Sequence, residues 1–506
     1  MTKDAKHSYG HILKSSALIG ASSLLDIGLR VVRVKVTALL LGPAGVGLMG
    51  LFGSIADLAL SLFVMGVDNS GVRQIAQATG SGDRERIVLT VRVLKRVCLI
   101  LAIAGAALLA LFSRQISQLT FGNDSQVRGV ALLSLAVYFR LLFAGQAALL
   151  RGTRRIADFA RMEVIGAFVA TVTSVPLIYF LREDGVVPSL VVAAAGMTLT
   201  SWWYARKVEL PPLNLEAPNV RSEVRALLRL GFAFMVTGLM TMGAAYLVRV
   251  IVLRQLGVDA AGLYQSAWTI GGLYVGFILQ AMGTDFYPRL TAVSDDKSES
   301  SRMVNEQVFV SLLMAGPGVL ATLTLAPLVI AVFYSGKFDP AVGALRWICL
   351  GMSLRVITWP LGFVVVAKGM QSLFIAIDFA CAIVQLGLTW LLVKSVGLDG
   401  AGMAFFGLYV FHGLIVYPIA RRITGFRWSA ENKRLALVFV PVIALVFGSF
   451  YVLPRPWATG LGALALLATS AGSLRILVTL IPPESMPRPV RRLLEKGRVL
   501  APREAD

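Results

Sequence analysis

Apolar stretches long enough to cross a membrane recur along this chain. About 20 consecutive apolar residues span the roughly 30 Å of bilayer hydrocarbon as a helix, and such runs follow one another from residue 15 to residue 481. Of the 506 residues, 57% are hydrophobic and only 15% are charged. The sequence therefore predicts an all-α integral membrane protein with about 14 transmembrane helices. The predicted spans are 15–41, 45–67, 95–113, 128–150, 162–181, 186–205, 231–254, 259–283, 307–335, 341–366, 371–394, 399–420, 435–453 and 457–481.

The net charge of +20 would suggest a nucleic-acid partner in a soluble chain, but here it follows the membrane topology. The basic residues concentrate in alternate connections between the predicted spans, chiefly 73–96, 151–161, 206–229 and 421–434, and in the tail. Lysine and arginine are retained on the cytoplasmic side of membrane proteins. The pattern predicts cytoplasmic N- and C-termini and indicates no nucleic-acid binding.

An internal repeat is visible in two short signatures. The motif LGPAGVGL at 41–48 recurs as LGVDAAGL at 256–263, and MGVD at 65–68 is echoed by MGTD at 282–285, an offset of about 216 residues. Six predicted spans fit into that offset, so both halves would enter the membrane in the same direction. This predicts two parallel six-helix bundles related by a pseudo-two-fold axis along the membrane normal, plus a C-terminal helical hairpin.

The same pattern divides the chain into six predicted parts. The proline-bearing stretch after span 6 is the longest connection and separates the two halves. The parts are a cytoplasmic N-terminus (1–14), an N-terminal bundle (15–205), a cytoplasmic linker (206–230), a C-terminal bundle (231–420), an extra hairpin (435–481) and a basic cytoplasmic tail (482–506).

The first predicted span contains charges where a membrane anchor would have none. At 100° per residue, Asp26, Arg30, Arg33 and Thr37 share one face of the helix, whereas Lys35 points away from it. A charge at bilayer depth costs several kcal/mol unless it faces water or a partner. The stripe therefore predicts one wet face, lining a cavity.

Other predicted spans also carry charges, and cations are in excess. Asp57, Arg140, Arg249, Arg355 and Asp378 all lie within spans. Guanidinium groups stay protonated when desolvated and bind phosphate oxygens in pairs. We therefore expect a cationic, substrate-binding cavity for a phosphate or diphosphate group, built from Arg30, Arg33, Arg140, Arg249 and Arg355.

The three aspartates allow two roles. A carboxylate in a cavity of low dielectric constant can bind and release a proton, so Asp26, Asp57 and Asp378 are candidates for coupling to a proton or sodium gradient. The alternative is ion pairing, in which an aspartate neutralises Arg30 or Arg140.

Several functional classes are disfavoured by what the sequence lacks. There is no GxxxxGK[ST] phosphate-binding loop, and the three cysteines are scattered within spans. The predicted outward loops are short, unlike those expected of a membrane glycosyltransferase or polymerase. No catalytic residue, metal site or cofactor is predicted.

The stretch ALLLGPAGVGLMGLF at 38–52, followed by GVRQIA at 71–76, resembles Wzx-type O-antigen flippases. These form part of the polysaccharide-transporter branch of the multidrug/oligosaccharidyl-lipid/polysaccharide exporter superfamily. The resemblance implies a bacterial inner-membrane flippase that moves undecaprenyl-diphosphate-linked oligosaccharide by alternating access, for O-antigen or other surface polysaccharide. It also implies membrane lipids, a polysaccharide polymerase and chain-length machinery as partners.

Two relatives of that branch and one other class remain as alternatives. A lipid II flippase is disfavoured because its arginine-rich NLxRR stretch after span 2 is replaced here by DNSGVR at 68–73. A multidrug/cation antiporter has cationic substrates, which arginines in the cavity would repel. A membrane enzyme such as a polymerase or ligase is the third alternative.

Overall fold

The computed structural model describes residues 3–81, 83–208 and 217–480, and every regular element within these ranges is a helix. Short 3-10 turns lie at Arg182–Gly185 and Gly336–Ala341. The helices are α1 (Lys3–Phe63), α2 (Val67–Ser81), α3 (Arg84–Leu111), α4 (Ser113–Phe121), α5 (Val127–Gly152), α6 (Ile156–Leu181), α7 (Val186–Ala205), α8 (Ala217–Leu256), α9 (Val258–Ala292), α10 (Lys297–Thr324), α11 (Ala326–Phe333), α12 (Val342–Ala367), α13 (Gln371–Val396), α14 (Leu398–Thr424), α15 (Ala430–Val452) and α16 (Arg455–Leu480).

The expectation of an all-α integral membrane protein is confirmed. Each predicted span falls on helical chain, although span 307–335 runs over two helices, α10 and α11. In the described ranges, 11 stretches are long and apolar enough to cross a membrane. Two of these stretches, Ile27–Phe63 and Ile156–Ala205, each cover two predicted spans, and α9 is not among them. The number of 14 spans, the pseudo-two-fold axis and the orientation of the termini therefore stay predictions.

Helix α1 is interrupted where the first two predicted spans meet. At Gly42 the backbone leaves the helical region, with φ 65° and ψ −160°, and Pro43 follows. Glycine reaches positive φ without strain, and a proline directly afterwards favours a new helical start. The break between spans 15–41 and 45–67 is thus built into two adjacent residues.

Helix α2 was not predicted, because its sequence is too polar for a search for membrane spans. Its buried residues follow a helical period: Val67, Ser70, Gly71, Gln74, Ile75 and Ala78. The spacing of three and four residues gives one buried face. Ser70 donates a hydrogen bond to the Leu227 carbonyl oxygen of α8 (2.9 Å), so α2 is fixed against α8.

Part of the stretch predicted as a linker, 206–230, is helical. Helix α8 begins at Ala217, and Glu223 and Leu227 are both buried. The Thr90 hydroxyl of α3 donates to Glu223 Oε1 (2.5 Å). The beginning of α8 therefore packs on α2 and α3 rather than crossing open solvent. Residues 209–216 lie outside the described part of the chain.

The described chain divides into two compact units. The first takes in the described residues up to Gln265 together with Phe333–Phe338, and the second comprises Ser266–Val332 and the described residues from Asp339. The core of the first unit lies between the second part of α1, α5 and α7. The core of the second lies between α9, α10, α12, α13 and α14. The predicted bundle limits stay predictions.

A buried amide pair holds α15, the first helix of the predicted hairpin, to the second unit. Asn305 of α10 donates to the Arg427 carbonyl oxygen (3.0 Å) and accepts from the Ser429 backbone N–H (2.9 Å). Asn432 donates from Nδ2 to the side-chain and backbone oxygens of Asn305 (2.9 Å each). The Ser429 hydroxyl caps α15 by accepting from the Asn432 N–H (3.1 Å).

The two copies of the glycine-bearing motif contact each other within the first unit. A Cβ on Gly47 would lie 2.4 Å from the Val258 carbonyl oxygen, and one on Gly262 would lie 1.9 Å from the Pro43 carbonyl oxygen. No side chain fits at such distances. The start of α9 therefore touches the second part of α1 through backbone atoms.

Candidate functional site

The charged face of α1 is shorter than its periodicity predicts. Arg30 is exposed and Arg33 is half-buried, but Thr37 is fully buried and its hydroxyl donates to the Arg33 carbonyl oxygen (2.9 Å). A fully buried hydroxyl that bonds to its own helix does not line a water-filled cavity. Lys35 is half-buried. The side chain of Asp26 lies outside the described residues, so its role stays a prediction.

Arg140 and Asp57 form an ion pair in the first unit. Arg140 of α5 donates from Nη2 to Asp57 Oδ1 of α1 at 2.6 Å. The two side chains are 35% and 46% exposed, so the ion pair is only partly buried. Of the two roles left open for Asp57, the structure shows the ion pair with Arg140.

Arg249 is held from two sides. Its Nε donates to Gln265 Oε1 (2.7 Å) and its Nη1 donates to the Ala245 carbonyl oxygen (2.8 Å). Gly50 of α1 leaves room for this arrangement, because a Cβ there would lie 2.9 Å from Gln265 Cγ. In the described part of the chain, Nη2 of Arg249 donates no hydrogen bond. The guanidinium is therefore fixed in position with donors to spare.

Gln265 was missed by the sequence reasoning, which considered charges only. It is a polar amide in an otherwise mostly apolar stretch of α9, and it lies 16 residues from Arg249 on another helix. A search for every strongly polar residue within apolar runs would have found it. The sequence would not have shown which arginine it contacts.

Arg355 of the second unit lies beside an aromatic pair. Its Cζ is 5.9 Å from the Tyr409 ring centroid, and the rings of Tyr409 and His412 are 5.8 Å apart. Nε of Arg355 is buried and meets no hydrogen-bond acceptor among the described residues. Arg355 is thus packed against an aromatic face instead of being neutralised by a carboxylate.

Asp378 of α13 is half-buried. Within the described ranges, no lysine or arginine lies at ion-pair distance from it. The structure thus places Arg140 with Asp57 and Arg249 with Gln265 in the first unit, and Arg355 near Tyr409 in the second. In the same described ranges, no three His, Cys, Asp or Glu side chains are grouped to hold a metal ion.

Chemically, these arrangements suit anion binding. Arginines that are oriented by neutral partners keep their full charge, whereas a carboxylate partner would cancel it. Arg249 is of the first kind and Arg140 is of the second, while Arg355 lies beside the Tyr409 ring. Of these three arginines, Arg140 is paired with a carboxylate, whereas Arg249 and Arg355 each keep their charge without an ion pair in the described ranges.

The known proteins that this chain resembles in sequence are transporters. The chain is 24% identical over 409 residues to the lipid III flippase of Escherichia coli (strain K12), a match that covers 79% of this chain and 95% of the relative. The lipid III flippase of Shigella flexneri matches to the same extent. These relatives are flippases, not enzymes.

Solved structures show the same fold. The lipid II flippase MurJ in an inward closed conformation superimposes with a TM-score of 0.67 at 14% identity, covering 91% of this chain and 100% of that one. An inward-facing multidrug resistance MATE family transporter of the MOP superfamily gives a TM-score of 0.66 at 18% identity, covering 80% and 94%. The fold is therefore that of MOP-superfamily transporters.

A family model described as "Polysaccharide biosynthesis protein" matches residues 36–343. The matched region takes in the Gly42 break, both copies of the glycine-bearing motif and the arginines Arg140 and Arg249. It covers more than half of the chain. The protein therefore belongs to the polysaccharide biosynthesis protein family.

Proposed function

We propose that this protein is a flippase that moves an undecaprenyl-diphosphate-linked oligosaccharide across the bacterial inner membrane, for O-antigen or another surface polysaccharide. Three observations support the proposal. The family is one of polysaccharide biosynthesis, the curated relatives are named lipid III flippases, and the fold is that of MOP-superfamily transporters. The proposal extends the relatives' substrate class to this chain.

The observation that carries the proposal is the fixed guanidinium of Arg249. Gln265 and the Ala245 carbonyl oxygen occupy Nε and Nη1, and neither partner carries a negative charge. An uncompensated cation at membrane depth is costly unless it meets water or an anion. A diphosphate offers several oxygens to the remaining donors. Arg249 is therefore the residue proposed to contact the diphosphate.

The predicted repeat adds a second line of support. Arg249 follows Arg33 by 216 residues and Arg355 follows Arg140 by 215, close to the offset of the sequence signatures. Each half would thus contribute arginines at corresponding positions. A substrate group that passes between two related halves by alternating access would meet a similar cation in each.

Coupling to an ion gradient is also proposed, with Asp378 as the first candidate. Asp57 is engaged by Arg140, whereas Asp378 has no ion pair among the described residues. A carboxylate without a cationic partner can change its protonation at modest cost. The proposed coupling ion is a proton or a sodium ion, and Asp26 is a further candidate for binding it.

The proposed setting is the inner membrane with both termini in the cytoplasm. A polysaccharide polymerase and chain-length machinery are the proposed downstream partners, since a translocated repeat unit has to be polymerised. We propose an oligosaccharide substrate rather than lipid II, because the similarity to MurJ concerns the fold and does not by itself indicate the same substrate. A cationic drug is disfavoured by the available arginines.

The test is transport of a fluorescent undecaprenyl-diphosphate oligosaccharide into proteoliposomes by Arg249→Ala, Arg249→Lys and Lys394→Ala. Loss of a charge-assisted pair of hydrogen bonds costs about 1.5–3 kcal/mol, or roughly 10- to 100-fold in substrate affinity. We expect such a loss in Arg249→Ala and a partial one in Arg249→Lys, which keeps the charge but not the fork.

Lys394→Ala is the matched control, because it removes one positive charge from an exposed position near the end of α13. Its transport rate should equal that of the wild type. Wild-type affinity and rate in Arg249→Ala, with normal protein yield, would overturn the assignment of Arg249. Absence of transport by the wild type across several lipid-linked oligosaccharides would overturn the proposed function itself.

A further inference from the structure

The end of α7 carries an aromatic and basic cluster that the proposed transport step does not use. Trp202 and Trp203 are 53% and 49% exposed, and they are followed one turn later by exposed Arg206 and Lys207. The Arg206 guanidinium carbon lies 3.7 Å from the Trp203 ring centroid and 4.9 Å from that of Trp202. Lys207 Nζ lies 4.5 Å from the Tyr204 ring centroid. Both cations are thus held on aromatic faces.

The turn between α5 and α6 adds further cations beside this cluster. Arg155 donates from Nη1 to the Lys207 carbonyl oxygen (3.0 Å), which ties the turn to the end of α7. Asp158 lies 3.7 Å from Arg155 and 3.8 Å from Arg161, and is the carboxylate in contact with these cations in the described part of the chain. The basic residues of the two segments are Arg151, Arg154, Arg155, Arg161, Arg206 and Lys207.

A small core makes this surface rigid. Leu150 and Met162 are fully buried beneath it and pack with Tyr204, while Phe159 and Val208 close the sides. The ends of α5 and α7 and the beginning of α6 are therefore fixed relative to one another. A backbone held by such a core reduces the conformational entropy that is lost when the side chains above it bind a ligand.

The exposed side chains on one face of α7 change in polarity along the helix as the layers of one bilayer leaflet do. Val192, Leu199, Trp203 and Arg206 lie within about 60° of one another around the helix, and all four are exposed. Along the axis the stripe passes from aliphatic side chains to indole and then to guanidinium. Acyl chains, the interfacial region and lipid headgroups follow one another in the same order.

We propose that the end of α7, together with the α5–α6 turn, is a binding site for an anionic phospholipid of the surrounding bilayer. The phosphate accepts hydrogen bonds from Arg206 and Lys207, and an acyl chain lies along Leu199 and Val192. A girdle of tryptophans alone would accept any phospholipid. The excess of cations over carboxylates selects a lipid whose headgroup has a net negative charge.

The experiment uses the full chain in phosphatidylcholine proteoliposomes in which one fifth of the lipid carries brominated acyl chains. The brominated lipid is either phosphatidylglycerol or phosphatidylcholine, and bromine quenches the fluorescence of tryptophans that it contacts. We expect stronger quenching by brominated phosphatidylglycerol in the wild type. The replacements Trp202→Phe and Trp203→Phe together should remove this difference, which would assign it to the two exposed indoles.

The decisive variant is the pair Arg206→Gln and Lys207→Gln, which leaves the indoles in place. Each basic residue near a membrane surface contributes about a fivefold preference for anionic lipid, so we expect the loss of both to lower the relative affinity for phosphatidylglycerol by ~30-fold. The pair Arg421→Gln and Arg422→Gln, at the exposed end of α14, removes the same charge elsewhere and should keep the preference.

Two results would overturn the proposal. One is equal quenching by the two brominated lipids in the wild type. The other is an unchanged preference in the variant of Arg206 and Lys207, which would mean that the tryptophans only lie at the membrane interface. If gel filtration shows that the double variant does not fold, Arg206→Gln alone is used. The measure is again the ratio of quenching by brominated phosphatidylglycerol to quenching by brominated phosphatidylcholine.

Discussion

Replacement of Asn305 by leucine should release α15 from the second unit. Leucine has the same number of side-chain heavy atoms and the same branching as asparagine, so the change removes the amide while keeping its shape. It deletes the hydrogen bonds to the Arg427 carbonyl oxygen (3.0 Å), from the Ser429 N–H (2.9 Å) and from Asn432 Nδ2 to the side chain (2.9 Å). Asn432 keeps its bond to the Asn305 backbone oxygen (2.9 Å).

The magnitude follows from the groups that lose their partners. Asn305 and Asn432 are 9% and 4% exposed, so water reaches them poorly. A buried polar group left without a partner costs about 1–3 kcal/mol. Two backbone groups, the Arg427 oxygen and the Ser429 N–H, lose their partner in this way, which gives about 2–6 kcal/mol in local stability. Asn432→Ala leaves both of these groups paired with Asn305 and should cost less.

Tryptic cleavage after Arg427 in detergent measures this local opening directly. When opening and closing are fast, the cleavage rate follows the population of the open form. Asn305→Leu should therefore raise the rate by roughly 30-fold or more, and Asn432→Ala should lie between that variant and the wild type. Ser395→Ala is the control, because this exposed hydroxyl bonds, among the described residues, only to carbonyl oxygens of its own helix. Equal cleavage rates in Asn305→Leu and the control would refute the reasoning.

Two further experiments test contacts within the first unit. The first is a double-mutant cycle of Asp57→Ala and Arg140→Ala, followed by chemical denaturation. The coupling energy between the two side chains should be about 1 kcal/mol, because the pair is half-exposed. A coupling energy of several kcal/mol would contradict the half-exposed geometry. The second compares melting temperatures. Gly262→Ala should lower the melting temperature, because its Cβ would lie 1.9 Å from the Pro43 carbonyl oxygen, whereas Gly276→Ala, whose Cβ would have nothing within 4 Å, should not. Similar melting temperatures for both variants would show that α1 and α9 separate at little cost.

Predictions from sequence succeeded where the physical signal is local. A run of apolar residues indicates a membrane helix by its own length, and Gly42 followed by Pro43 marks a helix break by backbone geometry alone. Helix α2 was missed because its buried face includes polar and small residues such as Ser70 and Gln74. What buries them is α8, more than 140 residues further along the chain.

The candidate site was predicted only as a set of residue types. Charge within an apolar run identifies Arg140 and Arg249 as unusual, but their partners depend on how helices pack. Asp57 lies 83 residues from Arg140, and Gln265 reaches Arg249 from a different helix. Periodicity placed Thr37 on the same face as Arg33, yet packing buries it. The distinction between a neutralised and an available arginine therefore comes only from the structure.

The contact between Gly47 and Gly262 constrains how the helices that make it can part. Side-chain gates open when a rotamer changes, a motion that needs no displacement of the main chain. Here the facing atoms belong to peptide groups, so no rotation of a side chain can create a gap. The start of α9 and the second part of α1 can separate only if whole helical segments are displaced. The width of any passage opened at this point would therefore be set by the distance that the helices move.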